Sequence, residues 1–427
     1  MYETIGTGEG RSPSLEISAR RITGLDGAAL RLRLDAFLSS PAGEEGLIAF
    51  RRGMHRDPEL GRREFRTTAR ICARLEAAGL KPRKLRGGTG LICEFGPKTN
   101  APVIALRADI DALPVQEAND VEYRSEVDGM AHACGHDVHT TVVLGTGLFL
   151  AELDKLGLLP GRVRLIFEPA EELLPSGALD VIENGGIEGV DRIYAVHCWP
   201  HLPVGQFGAH IGAVTSVADM VKIKVTGPGG HTSRPQNTTD VVFTLASIAT
   251  ELPAALSRLV DPRSGLSLVW GLINAGEAPN KIPSQGILEG TVRCQDNQAW
   301  DQAPELVERL VAAVASKFNA HVDLEYVRGV PASVNDAVSV QMFQDAATFM
   351  LGEDAVVPNM ASLGGDSFGY YQLKIPGAYI RMGTRAPGSS HKMDLHCGDY
   401  NPDEGCIGDA VKALAGTVLT AQGVALV

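Results

Sequence analysis

Short apolar runs and helical patterns alternate through the first half of this chain. Apolar residues recur at helical spacing from about Glu64 to Ala78, and again after His139 through Leu156. Runs rich in β-branched residues also occur here, namely TGLICEF, PVIALRADID, VRLIF and RIYAV. Strands that alternate with helices form parallel sheets covered by helices. We therefore predict an α/β domain with a central, mostly parallel sheet flanked by helices.

The pattern changes near Thr215, which indicates a second domain. MVKIKVTG alternates like a half-exposed strand, and a helical stretch, two strands, a second helical stretch and the strand HVDLEYVRG follow it. That order is typical of an α+β ferredoxin-like fold with helices on one face of the sheet. We predict an N-terminal extension over 1–40, a first domain split between 41–214 and 334–427, and an inserted domain over 215–333.

The composition argues against several classes of partner. The chain has 427 residues and a formal net charge of −12. We expect neither nucleic acid nor an anionic membrane surface as a partner, because both require basic patches. We see no run of about 20 apolar residues that predicts a transmembrane helix. The cysteines are few, odd in number and widely scattered, which favours a reducing, cytoplasmic compartment over a disulfide scaffold.

The densest cluster of reactive side chains is HACGHDVH, residues 132–139. Cys134 and His136 flank a glycine, which allows the backbone to turn tightly and to direct both side chains at one point. A thiolate and an imidazole suit zinc, manganese, cobalt or iron, and the sulfur favours zinc. A buried cysteine beside polar residues that cap a helix has the same spacing, so the motif alone leaves both interpretations open.

Further polar groups follow apolar runs directly. EPAEE places Glu171 and Glu172 after VRLIF, and His197 follows RIYAV. Open α/β sheets place their sites at the carboxyl ends of strands, so Glu172 and His197 are candidate metal ligands and Glu171 a candidate base. A solvated acidic helix start and a structural histidine are the alternatives. Asp109 and Asp111 in RADIDALP also end a strand, and Asp111 is a candidate to orient a histidine ligand or to cap a turn.

A last candidate ligand lies near the C-terminus. SSHKMDLHCGDYNPDE supplies His391 and His396, and either imidazole is able to complete the ligand shell of a metal. The motif itself does not choose between them.

The inserted region carries its own polar candidates. In the glycine-rich loop GPGGHTSRP, His231 is a candidate donor to a developing oxyanion and Arg234 a candidate substrate contact. Asn280 in APNKIP and Arg293 in GTVRC are further candidates, because an arginine binds a carboxylate with two parallel hydrogen bonds. Ordinary turns and a surface charge on a strand are the alternatives.

Taken together and in this order, these motifs resemble those of the aminoacylase and carboxypeptidase-G superfamily of metallohydrolases. The matching stretches are MHRDPELG, LRADIDALP, MAHACGHDVHT, PAEE, GGHTSRP and NKIP, and the resemblance runs from about residue 47 to the end. It is closest to the branch with hippurate hydrolases and auxin-conjugate amidohydrolases. It implies a catalytic α/β domain interrupted by a smaller dimerisation domain, usually in a homodimer, with one or two divalent ions, Mn²⁺ or Zn²⁺.

The resemblance also implies roles for individual residues. Glu171 corresponds to the general base, and His231 to a histidine that reaches the active site of the partner subunit. Asn280 and Arg293 correspond to contacts of the substrate's carboxylate end. The implied metal ligands are Cys134, His136, Glu172, His197 and, because LHCGDYNPDE aligns with the family's last ligand motif, His396 in place of His391.

Three stretches near the expected site depart from the family pattern, and the first is LLPSGA, which follows PAEE in place of a glycine-rich run. GGDSF, with Asp366 and Ser367, stands where the family commonly has GSEDF. Cys397 and Gly398 replace the usual Ser-Pro after His396. Because these departures flank the metal and the substrate pocket, they leave the substrate and the number of metal ions open.

Three functions fit these residues. In the first, water activated at the metal and deprotonated by Glu171 attacks the carbonyl of an N-acyl or N-aroyl amino acid, and His231 stabilises the oxyanion. In the second, which rests on resemblance to an aminohydrolase of the same superfamily, the site converts 5-nitroanthranilate to 5-nitrosalicylate and ammonia. In the third, the chain is a non-catalytic metal-binding relative. Retention of Glu171 argues against the third, because a structural metal site needs no free carboxylate beside its ligands.

Overall fold

The structure, a computed structural model, describes residues 26–359, 361–389 and 393–426. His391 and the lead-in before residue 26 lie outside these residues. The described part of the chain forms the helices α1 (Gly27–Leu38), α2 (Glu44–Arg56), α3 (Phe65–Ala77), α4 (His136–Lys155), α5 (Gly177–Glu183), α6 (Val241–Leu259), α7 (Asn297–Ser316), α8 (Ala337–Leu351), α9 (Gly369–Gln372) and α10 (Gly405–Ala421).

The strands include several short ones of only two residues. They are β1 (Arg83–Lys84), β2 (Leu91–Phe95), β3 (Ile104–Asp109), β4 (Val163–Glu168), β5 (Arg192–Pro203), β6 (Phe207–Gly208), β7 (Gly212–Ala213), β8 (Asp219–Thr226), β9 (Gly230–His231), β10 (Ser267–Ala275), β11 (Lys281–Ile282), β12 (Gln285–Arg293), β13 (His321–Val327), β14 (Val334–Asn335), β15 (Val356–Val357) and β16 (Gly377–Arg385).

Eight strands form a large sheet in the order β1-β2-β4-β3-β5-β16-β6-β15. The central strands β4, β3, β5 and β16 run parallel, whereas the β1–β2, β2–β4 and β6–β16 pairings are antiparallel. Every residue of β3 and β4 is buried, as expected for parallel strands that helices cover on both faces. The predicted α/β fold with a parallel-containing central sheet flanked by helices is confirmed.

Helix α1 packs in the hydrophobic core beside this sheet, although its residues were predicted to belong to an N-terminal extension. Leu30 and Leu34 are fully buried, and the ring of Phe37 lies 5.6 Å from the ring of Phe149 in α4. The apolar positions of α1 are spaced by three and four residues, which presents one face to the core. The polar stretch MYETIGTGEGRSPSLEISARRITG directly precedes α1, and the helix was assigned together with that lead-in.

A second sheet has the order β10-β12-β8-β13, and all its pairings are antiparallel. Helices α6 and α7 pack on one face, around a core that includes Val221, Leu245, Leu288 and Val307. The chain order β8, α6, β10, β12, α7, β13 is the ferredoxin-like arrangement that the sequence indicated.

Helix α6 is long and apolar enough to cross a membrane by length and composition alone, which the sequence analysis did not anticipate. Its buried residues Val241, Leu245, Ile248 and Leu252 recur at helical spacing and pack in the core of the four-stranded sheet. The buried apolar residues of α6 therefore form the face of the helix that packs in the core of the four-stranded sheet.

Candidate active site

The candidate site lies at the carboxyl ends of the central parallel strands. β3 ends at Asp109 and β4 at Glu168, and His197 lies in β5. Because these strands are parallel neighbours, their carboxyl ends meet at one edge of the sheet. Helix α4 begins at His136 and brings the HACGHDVH motif to the same edge.

Gly135 makes the tight turn between Cys134 and His136 that the sequence predicted. Its φ of 85° lies in the left-handed region, which glycine adopts without strain. A Cβ atom at this position would lie 2.6 Å from Cys198 Sγ, so a larger residue would displace the turn from β5. His396 also has a positive φ, 62°, which residues other than glycine rarely adopt. Unusual backbone geometry therefore places candidate ligands on both sides of the cluster.

The structure brings all five predicted ligands together. Cys134 Sγ is 3.5 Å from His197 Nε2. Glu172 Oε1 is 3.8 Å from His136 Nε2 and 3.3 Å from His396 Nε2. Donor atoms within 4.8 Å of one another form four groups, which are Cys134–His136–His197, Cys134–Glu172–His396, His136–Glu171–Glu172 and Asp109–His136–His139.

This donor set fits a divalent metal ion. His136 Nε2 and Glu172 Oε1 are buried and have no hydrogen-bond partner among the described residues, and buried polar atoms normally have one. Burial opposes protonation of His136, yet the Asp109 carboxylate raises its pKa well above the ordinary value, which indicates an excess of negative charge. A cation bound here would neutralise that charge and use both free donor atoms. Thiolate, imidazole and carboxylate are common ligands of such ions.

The imidazole of His197 and the thiol of Cys134 differ in whether they must lose a proton before they bind a metal. Burial lowers the pKa of His197 well below its ordinary value, so the ring is neutral. Its Nδ1–H donates to the Cys198 carbonyl at 2.8 Å, which leaves the Nε2 lone pair free. Burial raises the pKa of the Cys134 thiol well above its ordinary value, so a metal must displace that proton when it binds.

Asp111 contacts two candidate ligands at once. One oxygen accepts from His136 Nδ1 at 3.2 Å, and the other accepts from the Glu172 backbone N–H at 3.1 Å. These contacts fix the ring of His136 and the start of the PAEE turn, which supports the orienting role predicted for Asp111. His139 makes a parallel contact, because it donates from Nδ1 to Asp109 at 2.6 Å and accepts from the Cys198 N–H at 2.8 Å.

Glu171 is held by a network that reaches across the sheet. Its Oε1 accepts from the Ser367 backbone N–H at 3.0 Å. The Ser367 hydroxyl donates to Glu168 at 2.5 Å and accepts from Arg107 at 2.9 Å, and Arg107 also pairs with Glu168 and Asp109. Burial and the neighbouring carboxylates raise the pKa of Glu171 well above the ordinary value. A raised pKa suits a group that must take up a proton and return it.

Sequence reasoning missed Arg107, Glu168, His139 and Ser367 as supporting residues. A signal existed for the first two, because charged residues inside the apolar strands LRAD and VRLIFE require a partner once they are buried. His139 lay within HACGHDVH but had no assigned role. Ser367 appeared only as a departure from the family pattern.

The four polar candidates of the inserted region lie elsewhere in the chain. His231 and Asn280 are exposed neighbours, since β9 pairs with β11 and the Asn280 carbonyl accepts from the Thr232 N–H at 3.2 Å. Arg234 is exposed beside them, and Arg293 ends β12. Within the described residues, no hydrogen bond or ion pair joins these side chains to the donor cluster of the same subunit.

Replacing Cys134 with serine should reduce the bound metal without unfolding the chain. The hydroxyl keeps the size of the side chain but is a far weaker ligand than a thiolate. We expect metal content, measured by elemental analysis after dialysis, to fall several-fold. The matched control is Cys93→Ser, which changes a buried thiol in β2. Equal metal content in both variants would remove Cys134 from the ligand set.

Glu64, a buried carboxyl group near the site, makes the free energy of unfolding depend on pH. One oxygen accepts from the Ala170 N–H at 2.7 Å, the other is buried without a partner among the described residues, and burial raises the pKa to about 7. The folded state therefore holds a proton that the unfolded state loses above pH of about 4.3, so stability falls as pH rises through this window. We expect Glu64→Gln to gain about 3 kcal/mol relative to the native chain between pH 5 and pH 8. Parallel curves of unfolding free energy against pH would contradict this.

The parallel sheet, the metal-binding donor cluster and the adjoining carboxylate define a metal-dependent hydrolase. The sequence profile of Peptidase family M20/M25/M40 matches residues 105–420, and the chain belongs to this family. It is a hydrolytic enzyme that acts on carbon–nitrogen bonds.

Several known proteins resemble this chain. The N-acetylcysteine deacetylase of Bacillus subtilis is 36% identical over 346 residues, which are 81% of this chain and 90% of that protein. A Rhodococcus jostii protein that bears a glutamate–cysteine ligase name is 39% identical over 376 residues, but the match covers only 47% of that longer protein. The Bacillus subtilis YXEP protein, described as a dinuclear metal-binding M20 peptidase, is 31% identical with a TM-score of 0.75, covering 88% of this chain and 98% of that one.

Proposed function

We propose that this enzyme hydrolyses the amide bond of an N-acyl or N-aroyl amino acid. The observation that carries the proposal is Glu171, a half-buried carboxylate with a raised pKa whose donor atom lies within 4.8 Å of the donor atoms of His136 and Glu172. A base beside a metal is the arrangement that hydrolysis needs. The deacetylase relative, named for removal of an acetyl group from an amino acid, supports the same chemistry.

The five candidate ligands would hold one or two ions, Mn²⁺ or Zn²⁺. When bound, the metal supplies Lewis-acid chemistry that polarises the carbonyl and lowers the pKa of water from about 15.7 to near 7. Glu171 then takes the proton of the attacking water and returns it to the departing amine. The Ser367 N–H donates to Oε1 of Glu171 and holds the carboxylate in one orientation. The carboxylate would therefore face the attacking water in the same way in each turnover.

An apolar surface adjoins the carboxylates. Leu173 and Leu174 follow Glu172 directly, and both are more than two-fifths exposed. Together the two side chains form a small apolar surface beside the charged cluster. They favour a substrate with an acyl or aromatic group, which they would shield from water.

A homodimer would complete the site. β10 is an edge of the four-stranded sheet, its sequence SLVWGLINA carries no charge, and Val269, Leu272 and Ile273 are exposed on it. The opposite edge, β13, carries Asp323 and Glu325. Uncharged, apolar edge strands tend to pair with a strand of another chain. We therefore propose that β10 contacts a second copy of this chain.

In this dimer His231 serves the active site of the partner subunit. The side chain is exposed, and its Nδ1 accepts from the Ser233 hydroxyl at 2.8 Å, which leaves Nε2 as the donor. An N–H at that position would stabilise the oxyanion that forms on the substrate carbonyl. Asn280, Arg234 and Arg293 would accompany it and contact the carboxylate end of the substrate.

Mixing two inactive variants tests the shared site. A dimer of one His231→Ala subunit and one Glu171→Gln subunit has one intact site if His231 acts across the interface, and none if it acts within its own subunit. After random subunit exchange we expect about a quarter of native activity. If the mixture is no more active than the separate variants, His231 does not act in the active site of the partner subunit.

A substrate screen tests the reaction itself. Protein loaded with manganese or zinc would be offered N-acetyl and N-benzoyl amino acids, and the release of free amino acid would be followed. We expect hydrolysis of at least one of these amides, and none after removal of the metal with a chelator.

A second candidate reaction is hydrolytic removal of the amino group of an aromatic amine such as 5-nitroanthranilate. The exposed leucine pair beside Glu172 favours it as much as an aroyl amide. Ammonia release from aminobenzoates, without turnover of any N-acyl amino acid, would replace the first proposal with this one.

A further inference from the structure

One buried arginine near the site has no carboxylate partner among the described residues. Four arginines of the described chain are buried: Arg51, Arg107, Arg164 and Arg381. The first three contact carboxylates, respectively Asp137, Glu168 and Glu94. Arg381 is 5% exposed and forms no ion pair with any described residue. A buried guanidinium normally requires an anion, because leaving a charge unpaired in the protein interior is costly.

Arg381 lies beside the donor cluster. In the sheet its register partner on the neighbouring parallel strand is His197, so both side chains point to the same face. The guanidinium carbon lies 4.5 Å from the ring centroid of Trp199 and 5.0 Å from that of Tyr379. The Tyr379 ring is in turn 5.6 Å from the ring of His197. The cation therefore sits among flat aromatic groups next to a candidate metal ligand.

The remaining contacts of Arg381 leave its donors largely unused. Nη1 is 3.4 Å from the Tyr379 hydroxyl and Nη2 is 3.5 Å from the Val214 carbonyl. Both distances are long for hydrogen bonds from nitrogen to oxygen, and neither oxygen carries a formal charge. An arginine offers five N–H donors in a planar fork that matches a carboxylate.

We propose that Arg381 binds a carboxylate on a planar group of the substrate, with Trp199 and Tyr379 packing around that group. This inference rests on the proposed function, since it places the substrate at the same metal site. It adds an anion subsite within the large sheet, separate from Arg293 on the four-stranded sheet. The substrate class that it selects is an aromatic or otherwise flat carboxylate whose reacting carbon lies near His197.

Calorimetric binding of two matched probes tests this subsite. The probes are 2-aminobenzoate and 2-aminobenzamide, which differ in charge but hardly in shape, and the protein is the manganese-loaded full chain with Glu171→Gln to prevent turnover. We expect the acid to bind about 10- to 100-fold more tightly than the amide, which is the usual range for hydrogen bonds to a charged group. Adding Arg381→Met should remove this preference and leave binding of the amide unchanged.

Further variants separate this role from a structural one. Arg385→Met, at the end of the same strand, is the matched control and should keep the preference for the acid. Arg381→Lys retains the charge without the planar fork, so it should keep a reduced preference for the acid. It serves as the test variant if Arg381→Met fails to fold. An equal loss of affinity for both probes, or a preference lost in Arg293→Met and kept in Arg381→Met, would overturn the proposal. Because binding is measured instead of turnover, failure of amide hydrolysis in the substrate screen leaves this result interpretable.

Discussion

Glu171→Gln is expected to lower kcat by about 10²- to 10⁴-fold, the usual contribution of a general base. Glutamine preserves the size of the side chain and the oxygen that accepts from the Ser367 N–H, but it is unable to take a proton from water. Initial rates with an N-acyl amino acid that the native enzyme hydrolyses would give kcat. Elemental analysis of the same protein sample would give the metal content.

The metal content distinguishes a base from a ligand. The donor atoms of Glu171, His136 and Glu172 lie within 4.8 Å of one another, so geometry alone would also allow Glu171 to bind a metal directly. Unchanged metal content with a large loss of kcat is the expected result. Parallel loss of metal would make Glu171 a ligand, and an unchanged rate would remove it from the mechanism. Glu308→Gln, on the exposed side of α7, is the control.

Arg107→Met is expected to lower the free energy of unfolding by about 3–5 kcal/mol, the cost of breaking a buried ion pair from one side. Arg107 is 1% exposed and binds Glu168, Asp109 and the Ser367 hydroxyl. Methionine would leave two buried carboxylates without their cation. Denaturant unfolding followed by circular dichroism would measure the change.

An exposed arginine provides the comparison. Arg162 pairs with Glu94 at 3.0 Å, and a third of its side chain is exposed, so Arg162→Met should cost less than about 1 kcal/mol. Similar losses in the two variants would show that the network around Arg107 carries no special weight. We also expect Arg107→Met to reduce kcat, because the Ser367 contact that orients Glu171 depends on it.

Local patterns were sufficient to predict much of the fold. The short apolar runs VRLIF and RIYAV predicted strands, and the βαββαβ order predicted the four-stranded sheet, because both signals come from residues that are close in sequence. The turn at Gly135 followed from the same local reasoning. α1 was missed because it follows directly on the polar residues 1–24 and was assigned with them to one N-terminal extension.

Other features depended on pairings across the chain. Arg107 meets Ser367, which is 260 residues away, and no local pattern specifies such a contact. The place of the Arg381 guanidinium beside His197, without an ion-pair partner among the described residues, is likewise visible only once β16 lies beside β5. The placement of His231 away from the donor cluster of its own subunit needed coordinates, since sequence order alone does not separate the two surfaces.

The position of β16 has a consequence for biosynthesis. This strand lies in the middle of the large sheet, between β5 and β6, yet the ribosome makes it only after the whole four-stranded sheet. The inserted sheet has its own core and is able to fold while the larger one still lacks a central strand. His396 emerges later still. Binding of a metal by all five proposed ligands would therefore be among the last steps in the maturation of the protein, after β16 has joined the large sheet.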